Sequence, residues 1–173
     1  GFGPSLADFQ FVDFGDAEAL AARFSRDGDR IAAVFLEPIQ GERGVHVAPP
    51  GYLARVRALC TQYGAALVLD EIQTGLGRTG RLFACEHEGV VPDLLCVAKG
   101  LTGGYLPVAA TLASEDIYRV FLGRHAEYRH FFHGHTYTGN PLGCAAALAT
   151  LRLLNQGGVV ESVPEKASIL REA

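Results

Sequence analysis

An α/β fold on a mainly parallel sheet is what this sequence predicts, and three observations predict it. Short apolar runs alternate with segments of helical periodicity; the runs are nearly continuous rather than alternating, as strands buried on both faces are; and they end where glycine or charged residues begin. The expected architecture is therefore a two-sided sheet with helices between successive strands.

Each element has its own justification. DAEALAARFSR, from Asp16 to Arg26, carries Leu20 and Phe24 at helical spacing, and Ile31 to Leu36 reads as a strand. Tyr52 to Tyr63 repeats apolar residues at Leu53, Val56, Leu59 and Cys60, which predicts a second helix. A strand from Ala65 to Asp70, a short helix around Leu82 to Glu88, a strand from Asp93 to Ala98 and a strand from Pro107 to Leu112 follow. Ser114 suits the cap of a helix running to about Leu122, with Glu115 and Asp116 in its first turn. A longer helix from Pro141 to Leu154 has proline at its start and Gly157-Gly158 beyond its end, and Glu161 onward reads as the beginning of another.

Composition narrows the function classes. Apolar residues make up 49% and charged residues 20% of the 173, the balance of a packed core with a solvated surface. The net charge of −4 and the scatter of Lys and Arg argue against a nucleic-acid partner. No apolar run approaches the roughly 20 residues that cross a bilayer, and no signal peptide precedes the first strand, so no membrane partner and a cytoplasmic location are expected. Cys60, Cys85, Cys96 and Cys144 form no CxxC pair and sit among apolar neighbours, as buried free thiols do. His125, His130, His133 and His135 lack a carboxylate or cysteine at ligand spacing, so no metal is expected.

The chemistry concentrates at two strand ends. AALVL (Ala65 to Leu69) ends in Asp70-Glu71, and DLLCVA (Asp93 to Ala98) ends in Lys99, followed by Gly100, Gly103 and Gly104. Ligands of open α/β sheets sit beyond the carboxyl ends of strands, where both residues fall. Asp70 alone would also suit a cap for the following turn, and Lys99 alone could extend to solvent. Together they match what pyridoxal phosphate requires: a carboxylate that keeps the pyridine nitrogen protonated and an amine that forms a Schiff base. No GxGxxG or GxxxxGK[ST] follows a strand, so a nucleotide phosphate loop is not indicated.

The run LVLDEIQTGLGRTGRLFACEHEGVVPDLLCVAKGLTGGYLPVAAT (Leu67 to Thr111), followed by FFHGHTYTGNPLGCAAAL (Phe131 to Leu148), resembles the class III aminotransferases of fold type I. KGLTGGYLP and FFHGHTYTGNPLGC are most similar to the biotin-pathway branch, which converts 8-amino-7-oxononanoate to 7,8-diaminononanoate; acetylornithine and other omega-aminotransferases share the DEIQTGLGRTG stretch. The resemblance implies a pyridoxal-phosphate enzyme with a three-layer α/β/α large domain. Residues 1–155 would be part of that domain, and 156–173 would open the segment leading to a C-terminal small domain. Family members are far longer and the motifs begin as if in mid-protein, so the chain is expected to be an internal fragment, inactive by itself. A non-catalytic truncated copy of the fold is the rival expectation.

Site residues follow from the same resemblance. Lys99 would be the Schiff-base lysine and Asp70 the partner of the pyridine nitrogen. Gln73 would lie near the phenolic oxygen of the cofactor, although the biotin-pathway branch often carries alanine there. Thr136 would bind the cofactor phosphate of the other subunit of a homodimer, and Glu37 and Tyr137 would lie on the substrate side. HGHTYTGNP (His133 to Pro141) also reads as a capped helix start, with Thr138 or Asn140 as cap, and Glu37-Pro38 as a strand stop. GRTGR (Gly77 to Arg81) suits either a carboxylate grip or a turn with solvated charges, and Glu71 is expected to be structural.

Overall fold

The computed structural model describes residues 9–172; residues 1–8 of the expected large-domain segment, and residue 173, lie outside the described residues. The first helix, α1 (Ala17–Asp27), begins where Asp16 Oδ1 accepts a hydrogen bond of 2.8 Å from the Ala19 amide, and it buries Leu20 and Phe24. After β1 (Ala33–Leu36) comes a hairpin of two very short strands, β2 (Ile39–Gln40) and β3 (His46–Val47). Helix α2 (Tyr52–Tyr63) buries Leu53, Val56, Leu59 and Cys60, the expected stripe, and ends at Gly64, whose φ of +68° suits a residue without Cβ. Strand β4 (Ala66–Asp70), a 3-10 turn (Ala84–Glu88), β5 (Leu94–Val97) and a second 3-10 turn (Lys99–Thr102) complete the central unit. Then follow β6 (Ala110–Ala113), α3 (Glu115–Val120), α4 (Pro141–Gln156) and α5 (Val163–Glu172).

The sheet runs β1-β4-β5-β6, with β1, β4 and β5 parallel and β6 antiparallel to β5. Leu67 and Leu69 of β4 and Leu95 and Val97 of β5 join the α1 and α2 residues in one core. Phe24, fully buried, stacks on Tyr63 with ring centroids 5.0 Å apart, fastening α1 to α2. Truncating such a ring to alanine costs about 3–5 kcal/mol. Asp93, just before β5, binds three elements together: its Oδ2 accepts from Arg57 Nη1 of α2 and from the Leu67 amide of β4, each at 2.6 Å.

One expectation is met in a tighter form and two need correction. The short helix expected around Leu82 to Glu88 is present as a 3-10 helix, Ala84–Glu88, whose first two amides, of Ala84 and Cys85, donate to the Glu71 carboxylate. The last strand starts at Ala110 rather than Pro107, since its pairing with β5 begins only at Ala110 opposite Val97. The sheet is not evenly two-sided among the described residues: α2 covers one face, whereas Phe35 of β1 remains 60% exposed. Helix α4 packs on the Lys99–Thr102 turn instead.

Candidate active site

Parallel pairing sets the site. Asp70 is the last residue of β4 and stands opposite Cys96 of β5, and Lys99 follows three residues beyond Cys96. The Glu71 amide continues the ladder by donating to the Cys96 carbonyl at 2.9 Å, so both chains leave the sheet side by side. Asp70 is half-buried; its Oδ1 accepts from the Ile72 amide at 2.9 Å, and Oδ2 takes no hydrogen bond from any described residue. That oxygen remains available to a protonated ring nitrogen.

Lys99 opens a 3-10 turn that closes at Gly103, with φ of +61°. Its Nζ donates to Gln73 Oε1 and lies 3.5 Å from Glu42 Oε1. Gln73 is held on two further sides. A Cβ placed on Gly41 would stand 3.0 Å from Gln73 Cδ, so the hairpin backbone passes that close to the amide; and Arg78 Nε donates to the Gln73 carbonyl at 2.7 Å. Glu37, beyond the end of β1, accepts from the Gly41 amide through Oε2 at 3.1 Å and thereby fixes the hairpin over Gln73.

Beneath this cluster Glu71 is 1% exposed, and its carboxylate is fully employed: Oε2 accepts from Thr74 Oγ1 at 2.6 Å and from the Ala84 amide at 2.8 Å, and Oε1 accepts from the Cys85 amide at 2.8 Å. The residue is structural, as expected. It pins both ends of the segment that carries Gln73 and Arg78. Burial, followed by the neighbouring Glu71 carboxylate, pushes the Cys85 thiol up to about 12, and burial pushes Cys60 up to about 11. Cys96 is half-buried and Cys144 exposed among the described residues, so only two of the four cysteines are buried as expected.

The structure thus brings Asp70, Gln73, Lys99 and Glu37 to one end of the sheet. Thr136 and Tyr137 are not brought there: they lie in an exposed turn before α4, and among the described residues no hydrogen bond or ion pair links them to Lys99. Of the two possible caps, Asn140 takes the role, its Oδ1 accepting from the Gly143 amide at 2.8 Å, while Thr138 Oγ1 accepts from the His135 amide at 3.0 Å. Sequence reasoning missed Glu42, whose only signal is its place beside Gly41 in QGERG, and left Arg78 undecided between a carboxylate grip and solvent. Among the described residues no group of three His, Cys, Asp or Glu converges as a metal site, and no helix is long and apolar enough to cross a membrane.

An α/β sheet presenting an aspartate and a lysine at adjacent strand ends defines a class of protein suited to pyridoxal phosphate. The chain matches the family described as Aminotransferase class-III over residues 1–173, and it belongs to that family. The ornithine aminotransferase of Toxoplasma gondii ME49 is 39% identical, with a TM-score of 0.86, over 99% of this chain and 38% of that one. A second structure of the Toxoplasma enzyme is described with partial occupancy of PLP at its active site. The adenosylmethionine-8-amino-7-oxononanoate aminotransferase of Methanocaldococcus jannaschii is 40% identical, with a TM-score of 0.86, over 90% of this chain and 37% of that one. The acetylornithine aminotransferase of Elizabethkingia anophelis is 38% identical, with a TM-score of 0.85, over 93% and 38%. The chain therefore spans less than two fifths of the length of these neighbours.

Proposed function

We propose that this chain contributes the lysine and the pyridine-binding aspartate of a PLP-dependent aminotransferase, and that the full protein transfers an amino group to 8-amino-7-oxononanoate, giving 7,8-diaminononanoate for biotin synthesis. One observation carries the reading: Asp70 ends β4, Lys99 opens the turn that follows the adjacent parallel strand β5, and Asp70 keeps a carboxylate oxygen open. The donor set fits the cofactor, with one carboxylate for a ring nitrogen, one amine for an aldehyde and one amide for a phenolic oxygen. When bound, pyridoxal phosphate supplies an electron sink that makes a substrate C–H bond acidic.

The chain's own residues do the rest. Asp70 holds a proton on the ring nitrogen through a charge-assisted hydrogen bond worth about 1.5–3 kcal/mol. Lys99 Nζ would hold the group, and as a free amine the same nitrogen would carry a proton, general acid-base work worth roughly 10²- to 10⁴-fold. Gln73 orients both the amine and the ring oxygen. We assign Thr136 to the cofactor phosphate of a partner subunit, so that two chains complete each site, and Glu37 and Tyr137 to the substrate side. Residues 1–155 belong to the large domain and 156–173 lead toward the small one, in a cytoplasmic homodimer acting on small molecules.

The biotin-pathway substrate rests on KGLTGGYLP and FFHGHTYTGNPLGC. A second reading, an ornithine- or acetylornithine-type omega-aminotransferase, is favoured by Gln73, whose amide engages Lys99 where the biotin-pathway branch often has alanine. The test is to load the full-length protein with pyridoxal phosphate and offer 8-amino-7-oxononanoate, ornithine and acetylornithine in turn. Turnover of the oxononanoate with an amino donor supports the first reading, and turnover of ornithine or its acetyl derivative alone replaces it with the second. A protein that never acquires the absorption of lysine-bound cofactor is not an aminotransferase at all.

A further inference from the structure

The loop from Gln73 to Arg78 is built at a conformational cost. Leu76 has φ of +60°, the left-handed region that a branched side chain rarely adopts, and Gly77 follows at +91°. Two consecutive residues of this hand reverse the chain. The reversal is what returns Arg78 to the Gln73 carbonyl, where its Nε–H donates at 2.7 Å. Leu76 is not left loose in exchange: a Cβ on Gly100, the residue after Lys99, would stand 3.3 Å from Leu76 Cβ, so the strained residue is seated against the lysine's own turn. Below, Glu71 closes the segment through Thr74, and the Gly75 amide donates to the Glu71 carbonyl at 2.9 Å.

Strain at a non-glycine residue persists only where the surroundings over-determine it. Here one of the loop's restraints, the Arg78 hydrogen bond, acts on the backbone of Gln73 itself, and the Gln73 side chain reaches Lys99 Nζ. Resting on the aminotransferase reading for its cofactor arm alone, we infer that Arg78 is a positioning residue for Lys99, acting through the Gln73 carbonyl. Arg78 touches neither Lys99 nor any reacting atom. It fixes the backbone from which the Gln73 amide reaches the ammonium, and the guanidinium suits the task because its Nε–H is directed while the charge stays in solvent.

The experiment uses the full-length protein as wild type, Arg78→Ala, Arg78→Lys, Gln73→Ala and the Arg78→Ala/Gln73→Ala double variant. The first readout needs no cofactor: acylation of Lys99 in the cofactor-free protein by a succinimidyl ester, followed by peptide mass spectrometry. Arg78→Ala should speed Lys99 acylation about fivefold, Arg78→Lys should recover part of the protection, and Arg78→Ala should add nothing once Gln73 is alanine. The second readout is the affinity for pyridoxal phosphate and the absorption maximum of the bound form, which should loosen about tenfold and shift in Arg78→Ala with the same dependence on Gln73. An Arg78→Ala effect of equal size in both Gln73 backgrounds would mean a general loop role and overturns the inference, as does an unchanged acylation rate. A wild type that binds no pyridoxal phosphate defeats the aminotransferase reading, while the acylation rates still decide the role of Arg78.

Discussion

Glu42 Oε1 lies 3.5 Å from Lys99 Nζ, which ties the β2–β3 hairpin to the turn after β5. The pair is nonetheless surface chemistry, because the Glu42 side chain is 89% exposed. Water and salt screen such pairs to about 0–1 kcal/mol. Glu42→Gln should therefore leave the urea midpoint nearly unchanged. A loss well above about 1 kcal/mol would show that the hairpin depends on this ion pair.

Glu71 presents the opposite case. Its carboxylate is buried and satisfies the Ala84 and Cys85 amides as well as Thr74. Glu71→Ala orphans two buried N–H groups and opens a gap below the site, and should cost about 3–5 kcal/mol in chemical denaturation. A cost under about 1 kcal/mol would mean that water replaces the carboxylate without penalty.

Asp93 gives the fold an acid-sensitive link. Burial alone would raise its carboxyl, but the Leu67 amide and then the Arg57 guanidinium outweigh burial and hold it below the ordinary value of 3.8. A carboxyl depressed in the folded state contributes stability above its unfolded pKa and loses it as pH falls through the folded one. Wild type should therefore lose more stability than Asp93→Asn as pH drops from about 5 toward 3, which denaturant titrations at stepped pH will measure. Parallel loss in the two proteins would remove Asp93 from the acid response.

Thiol reactivity should sort by burial. With Cys60 pushed up to about 11 and Cys85 to about 12, neither forms appreciable thiolate near neutral pH. Iodoacetamide should label Cys144 first and Cys96 more slowly in a protein limited to these residues, with Cys60 and Cys85 reacting only in denaturant, as mass spectrometry of digests would read.

How much of this was legible in the sequence depends on how far each interaction reaches. Strands β1, β4 and β5 and helices α2 and α4 follow from local periodicity, caps and glycines, and the adjacency of Asp70 and Lys99 follows from spacing within one strand-to-strand step. The β2–β3 hairpin was hidden because two-residue strands show no period. Glu42 and Arg78 were hidden for another reason: each acts on a residue whose position is set by tertiary packing, Lys99 in one case and the Gln73 carbonyl in the other. Residue type alone says only that both are charged.

The last prediction concerns the turn at Thr136, which is exposed and, among the described residues, makes no hydrogen bond with Lys99. If it serves the phosphate in a partner subunit, Thr136→Ala in the full-length protein should loosen pyridoxal phosphate by about one to two decades, the worth of a hydrogen bond to a charged group. Lys99→Ala should lose the covalent anchor and turnover. Mixing the two variants separates the possibilities. In a mixed dimer one site pairs the intact Lys99 of the first chain with the intact Thr136 of the second, and the other site has neither. Half of the sites should then regain wild-type affinity and activity, a recovery that neither parent shows. No recovery after subunit exchange has been demonstrated, by mass spectrometry of differently tagged chains, would mean that Thr136 acts within its own chain or not at all.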